Sequence, residues 1–217
     1  MSRRSEALRD AAPSWQASLT HPFVRGLGDG SLPEASFRFY IRQDYLFLID
    51  YGRLLSLGAA RAPRLSWMRT FAGLSSSVLE TEMSLHREFA ARWGVVDLES
   101  ERAAPATSAY CNFLLRTAVL GDFAELVAAV LPCMWSYAEI GTSLSSSATS
   151  DRYREWIDMY ASSEFAELAS WARSVVDEVS GEGMEAAFEA SCAHEVAFWE
   201  SAFNAGGAAR VRHLGAA

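Results

Sequence analysis

Leu131-Pro132-Cys133-Met134-Trp135-Ser136-Tyr137-Ala138-Glu139-Ile140-Gly141 follows directly on the apolar segment 123–130, so one helix is expected to carry both. Proline has no amide N–H to give a helix interior, and Pro132 should therefore kink the helix and free the carbonyl of Ala128. Cys133 comes immediately after that defect, and Tyr137 lies four residues on, on the same helical face. Thiol and phenol would point together into whatever lies beside the kink. The same residues also suit an ordinary core, with Cys133 as a small hydrophobe and Tyr137 as a packed aromatic. The rest of the chain decides between these readings.

Outward from this stretch, helical periodicity continues in both directions. Asp122, with Glu125 three residues on, forms a capping-box start for the central helix. Before it, Thr107 or Ser108 begins a helix through Tyr110, Phe113, Leu114 and Val119 that ends at Gly121. A long helix is expected over 63–93, stopped by Gly94, with Leu65, Met68, Phe71, Ala72, Val78, Leu79, Met83, His86 and Phe89 on its buried side. Pro33 opens another, whose apolar stripe is Phe37, Tyr40, Ile41, Phe47, Leu48, Tyr51 and Leu55. Leu8, Trp15 and Leu19 mark a first helix that stops near His21-Pro22. Gly26-Leu27-Gly28-Asp29-Gly30 reads as a turn, and with no strand before it, it is no phosphate loop.

Toward the C-terminus, the serine-rich residues 143–150 read as a polar loop. Asp151 then caps a helix with Trp156 and Tyr160, Ser162 or Ser163 caps the next, and a last helix follows Gly181. The tail from about residue 205 to 217 is expected to fray. With no strand alternation and no repeat, residues 1–217 are read as a single all-α domain, a bundle of about eight helices.

Two carboxylates break the apolar stripes. Asp44 sits three residues from Ile41 and from Phe47, and Glu195 stands between Cys192 and Trp199 on the last helix. A carboxylate at a core position is costly unless it is hydrogen-bonded or has chemical work to do. Convergence of Cys133, Asp44, Glu195 and several tyrosines would supply a thiol nucleophile, titratable acids and stacking surfaces, which is equipment for attack on a flat polar ring. Glu82 and His86, at i and i+4, with His194, would serve a metal- or haem-dependent oxygenase-like bundle instead. In a non-catalytic binding or regulatory bundle, Asp44 and Glu195 would merely satisfy buried partners.

Composition narrows the classes further. Half of the 217 residues are hydrophobic and 12% aromatic, enough for a sizeable core. A formal net charge of −8 and a pI near 5.1 argue against a nucleic-acid partner. No apolar run approaches the roughly 20 residues that span a bilayer, and Met1-Ser2-Arg3-Arg4-Ser5-Glu6 lacks the apolar core of a signal peptide. Three cysteines without metal-type spacing suit a reducing cytoplasm better than a disulfide framework.

Five motifs in order resemble the TenA family, the thiaminase II or aminopyrimidine aminohydrolase proteins, similar in fold to haem oxygenase. They are His21-Pro22-Phe23-Val24 through Gly28-Asp29-Gly30-Ser31-Leu32-Pro33, then Gln43-Asp44, then Glu82-Met83-Ser84-Leu85-His86-Arg87-Glu88-Phe89, the opening stretch 131–141, and Glu195-Val196-Ala197-Phe198-Trp199. The resemblance spans about residues 8–203. It implies a homotetramer of helical bundles, each with a pocket for a 4-amino-5-substituted-2-methylpyrimidine and with no metal or cofactor. It implies hydrolysis of 4-amino-5-aminomethyl-2-methylpyrimidine, to a 5-aminomethyl-4-hydroxy or a hydroxymethyl product, or cleavage of thiamine. Carried over by motif, Cys133 is the nucleophile, Glu195 the proton carrier, and Asp44 the residue that holds the amino group. Tyr110, Tyr137 and Tyr160 line the pocket and Phe47 packs on the ring. One branch of the family lacks this cysteine, and Cys133 sets the chain apart from it. The chain departs from the family pattern at Ala193, His194 and Phe203.

Overall fold

The computed structural model describes residues 3–214, with side chains over 3–205. Among the described residues there are eleven α-helices, one π-helical turn, one 3-10 turn and no strand. The bundle is built around α8 (Phe123–Ser147), a 25-residue helix that runs through Pro132. Its start is the expected capping box: the Glu125 amide donates to Asp122 Oδ1 at 2.8 Å and the Asp122 amide to Glu125 Oε2 at 2.6 Å. Between Leu126 and Gly141 only Cys133 and Glu139 keep appreciable surface. By length and composition α8 could cross a membrane, but most of its apolar length is buried inside the protein, as in a core helix.

Around α8 pack α7 (Pro105–Leu120), α9 (Arg154–Tyr160), α10 (Ser163–Glu178) and α11 (Met184–Leu214), and α11 also packs along α4 (Glu34–Arg61). Two apolar clusters result. One gathers Trp15, Phe71, Tyr110 and Phe188 around the first half of α8. The other gathers Phe23, Tyr40, Trp156 and Trp199 around its second half. Phe47, Tyr51 and Cys133 belong to the first cluster and Tyr137 and Phe198 to the second, so the seam between them is where the functional side chains lie.

Several elements differ from the sequence reading, each for a local reason. The first helix is two, α1 (Arg4–Ala11) and α2 (Pro13–Leu19), because Pro13 starts a helix better than it continues one. The expected glycine turn is the end of α3 (Pro22–Asp29), which has Pro22 in its first turn and closes on Gly30 at φ +76°. Gly26 serves close packing there, since a Cβ would fall 2.9 Å from the Leu32 amide nitrogen.

The helix expected over 63–93 is broken by a π turn at Val78–Glu82, between α5 (Leu65–Ser77) and α6 (Met83–Arg92). Leu65, Met68, Ala72 and Leu79 are exposed, and Trp67, Phe71, Ser75 and Val78 face inward. α7 starts at Pro105, two residues earlier than read. α8 persists to Ser147, because Ser145, Ser146 and Ser147 return their hydroxyls to the carbonyls of Thr142 and Ser143. α9 begins after Tyr153 rather than at an Asp151 cap, whereas Ser162 does cap α10, its Oγ accepting the Phe165 amide at 3.2 Å. α11 continues to Leu214 through a segment expected to fray, and residues 215–217 of that tail lie outside the described residues. These splits account for eleven helices where about eight were expected.

Gly141 fixes one wall of the seam. A Cβ there would lie 2.6 Å from the Tyr160 carbonyl oxygen, so only glycine lets α9 press onto α8 and bring the Tyr160 and Tyr137 rings to 4.8 Å. Gly141→Ala is expected to cost about 1–3 kcal/mol in thermal or urea unfolding, the usual scale of an overpacked core. Gly73→Ala, which meets nothing within 4 Å, serves as the control and should be neutral or mildly stabilising.

Candidate active site

A cavity of about 610 Å³ opens along the seam. All seven side chains singled out in the sequence line it: Asp44 and Phe47 from α4, Tyr110 from α7, Cys133 and Tyr137 from α8, Tyr160 from α9, and Glu195 from α11. Helical spacing sets each of them. Cys133 and Tyr137 share one face of α8, as expected, and Tyr40, Asp44, Phe47 and Tyr51 share one face of α4.

Glu195 is 2% exposed, and its Oε1 is hydrogen-bonded to the Tyr110 hydroxyl at 2.8 Å. Burial pushes its carboxyl up to about 8; the Tyr110 bond opposes that rise and the Asp44 charge adds to it. Cys133 donates its thiol hydrogen to the Val130 carbonyl at 3.0 Å, and the surface it retains opens on the cavity. Burial first, and then the Glu195 charge, push this thiol well above its ordinary range. The Tyr51 hydroxyl and the backbone amides of Cys133 and Met134 pull the other way. Burial therefore favours the protonated form of both the thiol and the carboxyl.

At the other carboxyl, Asp44 is raised by burial and held down by His86 and by the Tyr40 hydroxyl. His86 Nε2 lies 2.8 Å from the Ile41 carbonyl, which can only accept, so Nε2 carries a hydrogen and Nδ1 is turned to Asp44 at 3.6 Å. Tyr40 is a hub: Trp156 Nε1 donates to its hydroxyl at 3.2 Å, and the Tyr137 and Tyr160 hydroxyls bond to it as well. The ring of Phe47 lies 5.1 Å from Tyr110 and 5.6 Å from Tyr51, giving the site an apolar wall.

Tyr40 and Tyr51 also line the cavity, and His86, a metal-ligand candidate in the sequence, faces Asp44 there. The two tyrosines had been read as filling of the α4 stripe, although their spacing from Asp44 puts them on its face. Glu82 and His86 do reach the cavity, but His194 stacks on Tyr110 at 5.3 Å and 10° and is not part of its lining. Among the described residues no three His, Cys, Asp or Glu side chains are grouped to hold a metal. Glu82 stands at the rim, its carboxyl raised by partial desolvation and then by Asp44. The departures from the family pattern lie off the cavity: Ala193 is exposed, and Phe203 sits beside His21 with ring centroids 6.1 Å apart.

A buried thiol, two buried carboxyls and a ring of tyrosines inside an all-α bundle define a helical protein with an enclosed small-molecule site. The chain belongs to the TENA/THI-4/PQQC family, whose pattern matches residues 8–205. It is similar to the aminopyrimidine aminohydrolase of Halalkalibacterium halodurans, 43% identical over 94% of this chain and 96% of that protein. The solved TenA homologue of P. horikoshii superposes with a TM-score of 0.88 at 29% identity, over 94% of this chain and all of the other. A Shewanella denitrificans domain described as having a heme oxygenase-like fold superposes with a TM-score of 0.72 at 13% identity, over 94% of this chain and 93% of that one, a likeness of fold alone.

The raised Glu195 carboxyl has a consequence for stability. Unfolded, the group titrates near 4.5; folded, near 8. The stabilisation from holding this proton is full below about 4.5 and is lost as pH rises to about 8. Glu195→Gln removes that dependence. Relative to wild type, the variant should gain stability between pH 5 and pH 8.5, on the order of 1–3 kcal/mol, in urea titrations at each pH.

Proposed function

We propose that the protein is an aminopyrimidine aminohydrolase that hydrolyses 4-amino-5-aminomethyl-2-methylpyrimidine. The observation that carries the reading is the convergence of Cys133, Glu195, Asp44 and four aromatic rings from five helices on one cavity. The name borne by the H. halodurans relative supports the substrate class. The ring would lie against Phe47 and the tyrosines, with Asp44 accepting an amino N–H. Cys133 sulfur adds to the ring carbon beside the 5-position, while its proton passes by way of Glu195 to a ring nitrogen. The electron pair placed in the ring then expels ammonia from the 5-methylene carbon. Water adds to the methylene left behind and gives a proton to Glu195, and cleavage of the carbon–sulfur bond restores the thiol. The sum is aminomethylpyrimidine plus water to hydroxymethylpyrimidine plus ammonia. Replacing the ring amino group instead would give the 5-aminomethyl-4-hydroxy product by a different departure.

Thiamine is a second substrate under this reading, because the same electron pair can expel a thiazole. The cavity favours it in one respect: at about 610 Å³ it is too large to reject the bigger molecule by size. Discrimination must then come from contacts made at the transition state. The reading extends to a homotetramer in the cytoplasm. Its supports are the large apolar side chains exposed at Leu65, Met68, Val119 and Leu120 and the three free thiols. Light scattering at micromolar protein tests the assembly, and a monomer would contradict it.

Cys133→Ala should abolish turnover with helical content intact, whereas Cys111→Ala and Cys192→Ala should retain it. Glu195→Gln and Asp44→Asn should each slow turnover roughly 100-fold or more, the scale of a lost proton-transfer group. With both compounds in one reaction, the aminomethylpyrimidine should be consumed faster. Near wild-type rates from Cys133→Ala would remove the nucleophile, and faster loss of thiamine would reverse the substrate order.

A further inference from the structure

Ser191 lies one helical turn before Glu195 on α11 and is fully buried. It does not line the cavity, yet it joins the cavity's two working helices. Its Oγ is 2.7 Å from the Ala129 carbonyl oxygen on α8 and 3.0 Å from the Tyr110 hydroxyl, which in turn is 2.8 Å from Glu195 Oε1. Ala129 lies four residues before Cys133.

We infer that Ser191 is a positioning residue, setting the direction of a hydrogen-bond chain from Glu195 through Tyr110 to the Ala129 carbonyl and so governing how firmly Glu195 keeps its proton. The inference rests on Glu195 being the acid–base group.

The direction follows from counting hydrogens. The Ala129 carbonyl can only accept, so at 2.7 Å the Ser191 hydroxyl hydrogen points to it. Ser191 oxygen must then accept from Tyr110, or two oxygens would face each other at 3.0 Å with no hydrogen between them. Tyr110, its own hydrogen given to Ser191, can only accept from Glu195, and this requires the carboxyl to be protonated. When Glu195 loses its proton the chain reverses. Tyr110 donates to the carboxylate, and Ser191 has to turn its hydrogen from Ala129 to Tyr110.

Without the serine hydroxyl the two states are affected unequally. In the protonated state a buried hydrogen loses its partner: the one on Tyr110, or, if Tyr110 turns back to Glu195 Oε1, the carboxyl proton displaced to Oε2. In the ionised state Tyr110 still donates to Glu195 and lacks only a partner for a lone pair. A buried donor without a partner is the worse defect, so removal of Ser191 favours the ionised carboxylate. The other groups acting on Glu195 stay in place. They are Asp44 and Tyr51 on α4, Cys133 and Tyr137 on α8, and Cys192 on its own helix. Of the remaining helices packed on α11, α2 carries no titratable side chain. Arg9 and Asp10 of α1 pair with each other at the surface, and Arg25 and Asp29 of α3 are exposed.

The test is Ser191→Ala, a one-atom deletion to a good helix former, compared with Ser191→Cys, which keeps the shape and a weak donor and acceptor. Titration of the Glu195 carboxyl is read in the resting protein by ¹³C NMR of labelled glutamate, assigned with Glu195→Gln. The same proteins are then assayed for kcat/KM on the aminomethylpyrimidine across pH. The Glu195 midpoint should fall by roughly one pH unit in Ser191→Ala, the scale of one buried hydrogen bond, and by less in Ser191→Cys. The limb of the rate profile that reports Glu195 should move with it. An unmoved midpoint in whichever variants fold, even with a lower kcat, overturns the inference and leaves Ser191 as packing. A midpoint that moves while the rate profile does not upholds the chain but removes Glu195 as the acid–base group.

Discussion

A carboxyl group at the centre of an apolar bundle has to be neutralised, hydrogen-bonded or both, and Glu195 is both. Its side chain is 2% exposed, it is hydrogen-bonded to Tyr110, and burial carries it to about 8. The helices around it are arranged to make that tolerable: α7 brings the tyrosine, α11 brings Ser191, and α8 brings the Ala129 carbonyl that ends the chain. The cost in stability goes with a carboxyl that titrates near neutral pH, as the proposed proton carrier requires. The same desolvation favours the protonated Cys133 thiol, and the proposed reaction uses thiol and carboxyl as a pair.

Pro132 is the second element of this design. A proline inside α8 removes one backbone donor at the point where the helix passes the cavity. Beside it, side chains bond to backbone carbonyls of the same turn, the Cys133 thiol to Val130 and Ser191 to Ala129. The Cys133 thiol is held to its own helix, and the Glu195 carboxyl is tied to the same turn through Tyr110 and Ser191. Such positioning is what a reaction routed through one carboxyl and one thiol needs.

Much of this was legible in the sequence, because the signals were local. The capping box at Asp122 and Glu125, the apolar length of α8, and carboxylates placed inside apolar stripes at Asp44 and Glu195 each violate or fulfil a rule within one or two helical turns. What was not legible depended on neighbours. The π turn at Val78–Glu82 leaves the helical periodicity nearly intact, and Leu65, Met68 and Leu79 are exposed although their spacing matches the apolar stripe. The glycines of α3 look like a turn until Leu32 is seen against Gly26. Tyr40 and Tyr51 are indistinguishable from core aromatics until the hydroxyls of Tyr137 and Tyr160 and the Cys133 thiol meet them from other helices. Ser191 gives no signal of its own, since a buried serine in a helix usually satisfies itself on its own backbone.

The account stands most directly on where the water goes. Turnover of 4-amino-5-aminomethyl-2-methylpyrimidine in ¹⁸O-labelled water, with ammonia and the pyrimidine product measured together by mass spectrometry, reads this in one experiment. Addition of Cys133 to the ring predicts one ammonia per pyrimidine consumed, and the label on the hydroxymethyl oxygen. No ammonia, or label on a ring carbon with the aminomethyl group retained, would contradict it.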